Sequence, residues 1–472
     1  MSTKTLKKEV TITSPIDGQV IQSIPLNTQE DLNQSVKRAE IAFETWSKKT
    51  LRERAKVFYR YRELLQVHSE ELAALIQLEN GKTLGEAKAE IDKAIEVTEF
   101  ACSLPQLAIG EVSEVSQGIH CQMTHEPLGV VANITPFNFP CMVPHWTLAI
   151  VMVLGNTLIM KPSEQVPLTM IKIAELLESA GLPQDVFQVL IGEKELVEGL
   201  CDHPDIKAIS FVGSTKVAGI VYQRASQNLK RVLCLGGAKN HVLVLPDAHP
   251  NMTATNIAQS MSGCAGQRCM AASAMVGVGE IDPIINQIVE EAKKIRPGIE
   301  LGAIISKSAK ERIEAAIQEA VDQGAKLILD GRKTSVPGKE KGFYIGPTIV
   351  DHVTPEMSIA KEEIFGPVLV IIRSQSVDEA IDIQNQSEYG NGAAVFTQNG
   401  KAARYVQSQL SAGMIGINIG VPVPREPFSF GGWNESKYGA GDITGKSSIQ
   451  FWTQLKKTTT KWNPEDKKDW MS

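Results

Sequence analysis

Short apolar runs alternate with amphipathic stretches from residue 130 onward, and this alternation restricts the fold more than any other feature. Apolar runs rich in β-branched residues are typical of strands, whereas apolar residues spaced three or four apart are typical of helices. Their alternation builds a parallel sheet covered by helices on both faces. The pattern predicts strands at 130–135, 157–160, 186–190 and 208–212, and helices at 142–154, at 168–180 and directly after residue 214.

A second pattern of the same kind follows Cys269. The first hundred residues differ, because apolar side chains such as Val36, Ala39 and Phe43 recur at helical spacing. We therefore expect an α/β protein with a helical N-terminal region and two α/β units joined near Gly236. In the second unit the pattern predicts helices at 283–295 and 309–322, and strands at 327–329, 368–372, 393–397 and 415–419.

The bulk composition excludes several classes of protein. The 472 residues are 43% hydrophobic and 22% charged, which is ordinary for a globular protein and excludes wholesale disorder. A net charge of −6, without a basic patch or tail, argues against a nucleic-acid partner or an anionic membrane. Seven cysteines without paired spacing favour a reducing compartment over a disulfide framework.

The N-terminus and the most apolar run bear on location. The N-terminus lacks the apolar core of a signal peptide, and the run at 148–160 is too short to span a bilayer. We therefore expect a soluble, cytoplasmic protein without a membrane partner.

One cysteine, Cys269, follows a stretch of small residues, with Gln267 and Arg268 directly before it. Small residues allow another molecule to approach the sulfur, and a neighbouring arginine favours the thiolate that attacks electrophiles. A single cysteine in such a context is also often a small buried hydrophobe. Cys269 is therefore a candidate nucleophile whose role depends on motifs elsewhere in the chain.

Five motifs follow one another along nearly the whole chain. They are Pro-Phe-Asn-Phe-Pro at 136–140, Lys-Pro-Ser-Glu at 161–164, Phe-Val-Gly-Ser at 211–214, Gly-Gln-Arg-Cys at 266–269 and Glu-Glu-Ile-Phe-Gly-Pro at 362–367. Together they resemble the NAD(P)-dependent aldehyde dehydrogenase superfamily. The phenylalanine after Pro136 and the runs at 237–241 and 266–271 look most like its methylmalonate-semialdehyde dehydrogenase branch, which is CoA-acylating.

The resemblance implies an aldehyde dehydrogenase-like α/β fold. It implies a Rossmann-type NAD-binding domain formed by residues 1–108 and 127–236, and an α/β catalytic domain at 237–440. A small β arm for oligomerisation would comprise residues 109–126 and 450–462, where polarity alternates as in a strand. Pairing of the arm between subunits would give a homodimer or homotetramer, and an edge strand within one chain is the alternative.

The resemblance assigns the chemistry to Cys269 and Asn138. The Cys269 thiolate would attack the aldehyde carbon, and hydride transfer from the thiohemiacetal to the nicotinamide would leave a thioester. The Asn138 amide and the backbone N–H of Cys269 would hold the developing oxyanion, where losing one donor costs about 3–4 kcal/mol. On its residues alone, Asn138 fits equally well as a turn former before Pro140.

The family's NAD site maps onto strand ends and helix starts. Lys161 would contact the adenosine ribose and Glu164 its 2′-hydroxyl, which favours NAD over NADP; a solvated lysine and a helix-capping glutamate are the alternatives. Gly213 and Ser214 would bring a helix N-terminus to the pyrophosphate, without a Gly-x-Gly-x-x-Gly fingerprint or Walker A motif. Ala218 stands where many members carry glycine. Glu363 and Phe365 are the predicted contacts of the nicotinamide ribose. Further predicted cofactor contacts are Thr135, Pro136, Phe137 and Ser163.

Cys234 indicates the acyl acceptor. Hydrolytic members carry a glutamate at this position, two residues before the Gly-Gly pair, and it activates water. A neutral thiol, with a pKa of about 8.5, is a poor base for water, whereas the CoA thiol supplies its own thiolate fraction. The missing carboxylate favours acyl transfer to CoA as a co-substrate, with Cys234 as a packing residue. A hydrolysing dehydrogenase that uses another carboxylate, such as Glu363, and a non-catalytic structural protein on the same fold are the alternatives.

A short aldehyde or semialdehyde is the expected small-molecule substrate. Arg268 would hold a semialdehyde carboxylate, with a structural ion pair as the alternative. His125 stands where acylating relatives usually carry an arginine, and His145 where an apolar residue is common. Methylmalonate semialdehyde, other acids and non-acidic short aldehydes therefore all stay open. Phe430 completes the predicted substrate contacts, and no metal site is expected.

Overall fold

The computed structural model describes residues 8–462. The N-terminal region is helical, as predicted, but a β-hairpin precedes the helices. Thr28, Thr50 and Thr83 each begin a helix with a capping box, which satisfies backbone N–H groups of the first turn. The elements are β1 (Glu9–Thr13), β2 (Val20–Pro25), α1 (Gln29–Trp46), α2 (Leu51–Val67), α3 (Ser69–Asn80), α4 (Leu84–Cys102) and α5 (Leu104–Leu107), followed by β3 (Glu111–Ser116) and β4 (Ile119–Pro127).

Strands and helices alternate from residue 130 and build a first sheet. The elements are β5 (Val130–Ile134), α6 (Met142–His145), α7 (Leu148–Val153), β6 (Thr157–Lys161), α8 (Leu168–Ser179), β7 (Phe187–Val189), α9 (Lys194–Asp202), β8 (Ile206–Val212), α10 (Thr215–Gln227) and β9 (Arg231–Leu235). These strands pair in parallel in the order β9-β8-β5-β6-β7. The order reverses between β5 and β8, and ligands of open α/β sheets bind at the carboxyl ends of strands at such a point.

The single helix predicted at 142–154 is two helices. α6 ends at His145, and α7 begins at Leu148. The Thr147 hydroxyl donates to the Pro144 carbonyl at 3.3 Å and so gives a carbonyl near the end of α6 a local partner. Trp146 and Thr147 lie between the two helices.

A second sheet begins after the segment that connects β9 to β10. The predicted domain division after residue 236 lies in this segment. Its order is β12-β13-β14-β11-β10-β16-β17, with every pair parallel except β12 with β13. The elements are β10 (Asn240–Val244), α11 (Pro250–Ser262), a 3₁₀ turn (Gly263–Gly266), β11 (Ala272–Val278), α12 (Asp282–Lys293), α13 (Lys307–Asp322), β12 (Lys326–Leu329), β13 (Thr348–Asp351), α14 (Ser358–Lys361), β14 (Val368–Ser374), α15 (Val377–Asn385), β15 (Tyr389–Gly390), β16 (Gly392–Phe396), α16 (Gly400–Gln409), β17 (Met414–Ile417), β18 (Trp433–Asn434) and β19 (Lys437–Tyr438).

The chain returns to the first sheet near its C-terminal end. β19 pairs antiparallel with β9. Lys437 and Tyr438, which the predicted division assigns to the catalytic domain, therefore extend the sheet of the other domain.

The C-terminal segment of the predicted arm starts in a helix. Residues 450–452 are the last turn of α17 (Gly445–Trp452), and β20 (Thr453–Lys461) begins after them. Phe451 and Trp452 are buried in the core, which explains why this part of the segment is not an exposed strand. β20 pairs antiparallel with β4 along its whole length, and β4 pairs with β3.

Apolar side chains pack against both faces of the sheets. The largest cluster joins the N-terminal helices to the first sheet and reaches Met270 and Phe430, with Cys269 packed against its edge. Among residues 8–462 no helix is long and apolar enough to cross a bilayer.

Candidate active site

The loop that carries Cys269 has an unusual backbone. It leaves α11 through the 3₁₀ turn, in which Cys264, Ala265 and Gly266 have φ angles of 52°, 54° and 69°. Left-handed residues in succession reverse the chain sharply and cost free energy where a Cβ is present. At Gly266 a Cβ would lie 1.9 Å from the Gly366 carbonyl oxygen, so this position requires glycine. The loop therefore packs closely against the motif at 362–367, which contains Gly366.

Two amide side chains fix the backbone of Cys269. Asn240 and Asn391 each donate from Nδ2 to its carbonyl oxygen, at 2.7 and 2.9 Å. Asn240 also donates to the Ala271 carbonyl at 2.9 Å and accepts the Gly392 N–H at 3.0 Å. The candidate nucleophile is therefore anchored to β10 and to the start of β16.

Asn138 lies beside this loop. It is buried, and its Nδ2 donates to the Gln267 carbonyl at 3.0 Å. A side-chain amide carries two N–H donors, and the second has no partner within residues 8–462. Asn80, at the end of α3, donates to the Phe137 carbonyl at 2.8 Å and so positions the segment that bears Asn138. One oriented amide donor is left available near the cysteine loop.

A cavity of about 460 Å³ lies in front of Cys269. This volume falls within the range of small-molecule sites, roughly 300–1,000 Å³. Phe430 and Trp146 form part of its apolar wall, with ring centroids 4.5 Å apart. Its charged lining side chains are Glu86, Glu90, Lys93, Arg268 and Arg425.

The Arg268 guanidinium lies in this wall with one donor uncommitted. It folds over Gly263, where a Cβ would lie 2.3 Å from the guanidinium carbon. Its Nη2 is 3.8 Å from Glu86, whose carboxylate already accepts the N–H groups of Thr83 and Cys264. The Nε of Arg268 is buried and has no hydrogen-bond partner in the described part of the chain. Because a buried charged donor without an acceptor is costly, this position favours an anionic ligand group.

The predicted adenosine contacts meet at the carboxyl ends of β5 and β6. Lys161 Nζ lies 2.9 Å from Glu164 Oε2, and this pair presents a donor and an acceptor side by side, as two ribose hydroxyls require. Thr135 and Pro136 follow β5 at the same edge, and the buried Thr135 hydroxyl has no partner among the described residues. Ser163 is buried between Lys161 and Glu164. The arrangement fits the adenosine half of a dinucleotide.

Gly213 and Ser214 join the end of β8 to the start of α10. A Cβ at Gly213 would lie 2.5 Å from the Phe211 ring, so a side chain there would displace that ring. The first N–H groups of α10 have no partners within the helix and suit a pyrophosphate. Ala218, in the first turn of α10, is fully buried in the apolar core, and its N–H donates to the Ser214 carbonyl at 2.9 Å.

Glu363 faces the connection between β9 and β10. Its carboxylate accepts the Ala238 N–H at 3.0 Å, and burial raises its pKa to about 7. Lys239 holds the adjacent segment, since its Nζ donates to the carbonyls of Ile359 and Glu362 at 2.7 and 2.9 Å. Burial lowers the pKa of Lys239 to about 7 as well. The predicted nicotinamide-ribose contact is therefore a carboxylate on a firmly held backbone.

Phe365 and Phe137 bring the last motif against the first. Their rings meet edge to face with centroids 5.8 Å apart. Phe365 has a φ of 56°, a strained value for a bulky residue, which is characteristic of backbone held in place by its surroundings. The contact places both predicted cofactor residues at the junction of the two sheets.

The surrounding protein does not by itself activate the Cys269 thiol. Burial, and after it the Glu363 carboxylate, raise its pKa to about 12. The backbone N–H groups of Cys269 and Met270, together with the Arg268 guanidinium, act in the opposite direction. Arg268 thus favours the thiolate, as its position in the sequence suggests, but burial outweighs it.

Two predicted substrate contacts lie elsewhere. His145 is fully buried, with Nε2 2.8 Å from the Tyr61 hydroxyl and Nδ1 2.6 Å from the Cys141 carbonyl, so neither ring nitrogen is free for a substrate. Burial also lowers its pKa to about 4. His125 lies on β4 of the arm, and its Nδ1 is 2.8 Å from the Thr453 hydroxyl. Arg268 and Phe430 line the cavity at Cys269, whereas these two histidines do not.

Within residues 8–462 no group of three or more His, Cys, Asp or Glu side chains is arranged to hold a metal ion.

Cys234 is a packing residue on β9. It is fully buried in the apolar cluster that contains Phe211, Ala218 and Val221. Burial raises the pKa of its thiol, so the thiol stays protonated near neutral pH and cannot accept a proton from water. It does not line the cavity at Cys269.

Comparison with known proteins identifies the family. The model of the aldehyde dehydrogenase family matches residues 2–458. The chain belongs to the aldehyde dehydrogenase family. The predicted fold is confirmed by solved structures, and the comparisons favour the semialdehyde branch.

Three known aldehyde dehydrogenases illustrate the similarity. Malonate-semialdehyde dehydrogenase of Bacillus velezensis is 44% identical over 463 residues, or 96% of this chain and 94% of that protein. The crystal structure of methylmalonate-semialdehyde dehydrogenase from Oceanimonas doudoroffii matches with a TM-score of 0.96 at 40% identity, covering 98% of this chain and 96% of that one. A point variant of betaine aldehyde dehydrogenase from Staphylococcus aureus, solved with NAD+, matches with a TM-score of 0.92 at 28% identity, covering 97% and 95%.

Sequence reasoning missed several residues that shape this aldehyde dehydrogenase site. Asn391 belongs to none of the five motifs, although its position between two glycines is a signal that an amide approaches backbone closely. Glu86 and Glu90 are typical of a solvated helix face in α4, yet both line the cavity. Glu90 pairs with buried Lys82 and accepts two N–H groups at the start of α6.

The pKa of Cys269 gives a test of this electrostatic arrangement. Without NAD, the rate of Cys269 alkylation by iodoacetamide is expected to rise about tenfold for each pH unit between about pH 7 and pH 10, because the thiolate fraction grows until the pKa is reached. Glu363→Gln should accelerate alkylation at every pH above about 7, since the lost negative charge lowers the thiol pKa. Glu362→Gln, an exposed neighbour, is the control. A plateau of the alkylation rate near pH 8 would contradict the raised pKa, because it would show that the Cys269 thiolate forms near pH 8 without NAD.

Proposed function

We propose that this chain oxidises a short carboxylate-bearing aldehyde with NAD and transfers the acyl group to CoA, as a semialdehyde dehydrogenase. One observation carries the proposal: Cys269 and Arg268, whose buried Nε has no hydrogen-bond partner among the described residues, line the same cavity. A nucleophile beside an uncommitted cationic donor suits a substrate that carries both an aldehyde and a carboxylate. The relatives named as malonate- and methylmalonate-semialdehyde dehydrogenases support this substrate class.

Cys269 forms the covalent intermediate. Its sulfur adds to the aldehyde carbon, and the carbonyl electron pair moves to oxygen. The second N–H of Asn138 and the backbone N–H of Cys269 hold that oxyanion. NAD, when bound, would supply the hydride acceptor. The Cys269 thioester remains once the hydride has left.

The residues of the first sheet hold the cofactor. Lys161 and Glu164 would hold the adenosine ribose, and the start of α10 would hold the pyrophosphate. Glu363 would hold the nicotinamide ribose. The NAD complex of the betaine aldehyde dehydrogenase relative supports the same choice of cofactor.

Among the described residues that line the cavity, no carboxylate is suited to activate water. The two carboxylates of the cavity, Glu86 and Glu90, are each engaged by backbone N–H groups, and Glu90 also pairs with Lys82. Cys234 replaces the usual glutamate and lies in the apolar core. The CoA thiol needs no such base, because its thiolate attacks the thioester carbon and Cys269 leaves as a thiolate. These residues favour thiolysis over hydrolysis.

The decisive experiment measures NADH formation and identifies the acyl product by mass. Malonate semialdehyde, methylmalonate semialdehyde and propanal are each assayed with and without CoA. We expect turnover of at least one semialdehyde that depends on CoA and yields an acyl-CoA, acetyl-CoA or propionyl-CoA if decarboxylation accompanies transfer. CoA-independent turnover to a free acid would contradict the choice of acceptor, and turnover of propanal alone would contradict the substrate class.

Arg268 is expected to distinguish acidic from neutral aldehydes. The other cavity cations are committed, since Lys93 lies 2.7 Å from Glu426 and Arg425 lies 3.4 Å from Glu96. Arg268→Gln should raise the KM for malonate semialdehyde roughly 10- to 100-fold, the value of one charge-assisted contact, and change that for propanal little.

Arg425→Gln is the matched control for this measurement. It removes a positive charge from the same cavity at a solvent-exposed, ion-paired side chain. We expect it to change both KM values less than threefold, which is about the size of a weak surface interaction. A larger effect on the semialdehyde from Arg425 than from Arg268 would reassign the carboxylate site.

We also propose that the arm joins copies of this chain. β3 is exposed at every residue, with Val112 72% and Val115 55% exposed, and an edge strand with apolar side chains favours pairing with another copy.

All seven cysteines are free thiols, which supports the proposed cytoplasmic location.

A further inference from the structure

A buried ion pair lies against the segment that carries Asn138. Lys82 stands in the connection between α3 and α4, and Glu90 stands on α4. Their side chains pair with each other and are only 2% and 0% exposed. Taking two charges out of water is costly, so a buried pair contributes little net stability. The position of this pair beside the candidate active site therefore indicates a more specific role.

Glu90 holds the backbone on the C-terminal side of Asn138. Its Oε1 accepts the N–H groups of Cys141 and Met142 at 2.8 and 3.0 Å. These N–H groups stand at the start of α6, where helix geometry leaves them without partners inside the helix. The carboxylate thus fixes the start of α6, three residues after Asn138.

The connection between α3 and α4 contacts the residues on both sides of Asn138. Lys82 Nζ lies 3.7 Å from the centroid of the Phe139 ring, within the range of a cation–π contact. Phe139 itself lines the cavity of about 460 Å³. On the other side, Asn80 donates to the Phe137 carbonyl at 2.8 Å. The backbone before Asn138 and the ring after it are therefore attached to the same short connection.

The same connection is also bonded to the cysteine loop through one intermediate. The Gly81 carbonyl accepts the Ala303 N–H at 2.9 Å. The Ala303 carbonyl accepts from Nε2 of Gln267 at 3.1 Å, two residues before Cys269. The Asn138 segment and the cysteine loop, which are connected to different sheets, are thus both attached to the residues between α3 and α4.

We propose that Lys82 and Glu90 are positioning residues for the oxidation of the aldehyde. They hold the Asn138 segment, and with it the amide donor, in place relative to the backbone N–H of Cys269, so that both donors reach one oxyanion. The inference rests on the proposed function, in which these two donors hold the oxyanion. Glu90 lines the cavity, but each of its carboxylate oxygens already has a partner, which favours positioning over proton transfer.

The rate of NADH formation in the first turnover tests the proposal. Stopped-flow absorbance measures it without CoA, at saturating NAD and aldehyde, so that it reports formation of the thioester. Glu90→Gln keeps an acceptor for the two N–H groups but removes the charge that pairs with Lys82, and Lys82→Met removes the ammonium. We expect each variant to slow this rate about tenfold, since a misplacement of about 1 Å can cost about 100-fold.

An Asn138→Ala background separates positioning from a general structural role. If Glu90 and Lys82 act through the amide, their variants should change the rate less than about twofold once the amide is absent. The same tenfold loss in both backgrounds, or no loss in the unsubstituted background, would overturn the proposal. If Asn138→Ala itself leaves the rate unchanged, the oxyanion role fails and the positioning role fails with it. The assay needs no CoA and works with any aldehyde that the protein oxidises, so an error in the acyl acceptor or the substrate class does not affect it.

Two further variants control for folding. If a single variant fails to fold, Lys82→Met/Glu90→Gln takes its place, because it removes both buried charges together. We expect this double variant to slow the first turnover at least about threefold through the lost contact to the Phe139 ring, again only where Asn138 is present. Lys88→Gln breaks an exposed ion pair between α4 and Glu70 and should leave the rate unchanged. The melting temperature of every variant is recorded alongside the rates.

Discussion

Cys269→Ala is expected to abolish NADH formation, with a loss of at least about 10⁴-fold in turnover, while NAD affinity stays near that of the unsubstituted protein. Without the sulfur, no thiohemiacetal forms, so no hydride donor is created. The carbonyl of residue 269 still accepts from Asn240 and Asn391, and the loop should keep its backbone. Stopped-flow absorbance of NADH and tryptophan-fluorescence titration with NAD measure the two quantities separately.

The chain offers a matched control in Cys264. This second cysteine lines the same cavity five residues away, is buried, and has a pKa raised by burial. Cys264→Ala should retain most of the turnover, because the Cys264 contact to Glu86 is made by backbone N–H. Substantial residual activity in Cys269→Ala together with its loss in Cys264→Ala would transfer the nucleophile role to Cys264.

The architecture was predictable because strand–helix alternation dictates a layered α/β fold. The strands that the pattern missed are instructive: β10 and β11 are buried on both faces, so their apolar runs show no alternation that distinguishes them from helix. The split between α6 and α7 coincides with the contact between Thr147 and Pro144, which apolar spacing does not report. The C-terminal strand begins late because Phe451 and Trp452 are drawn into the core.

The site was predictable only as far as its motifs extend. Cys269, Asn138 and Arg268 stand in motifs and meet in space. His145 was assigned to the substrate because its type departs from its relatives, yet two hydrogen bonds commit it to the core. Glu86 reaches a backbone N–H 178 positions away, a contact that depends on how the helical N-terminal region packs on the second unit. No local pattern encodes such a contact.

The Asn138 amide gives the second large expected effect. Asn138→Ala should lower kcat about 100- to 1,000-fold, because a preorganised donor to the oxyanion acts mainly in the transition state. The KM should change less than kcat, since the donor is used when charge develops on oxygen. The measurement is steady-state kinetics with a semialdehyde at saturating NAD and CoA, with the melting temperature recorded for each variant.

Two further variants separate donation by Asn138 from its packing. Asn138→Asp keeps the shape but replaces both N–H donors with an acceptor, so it should be as slow as Asn138→Ala. Asn80→Ala removes only the 2.8 Å bond to the Phe137 carbonyl and should affect kcat less, because the amide donor itself remains. Full activity in Asn138→Asp would contradict the oxyanion role and return Asn138 to a turn-forming residue. A loss in Asn80→Ala as large as that in Asn138→Ala would instead show that the position of the segment after β5, rather than the amide, determines the rate.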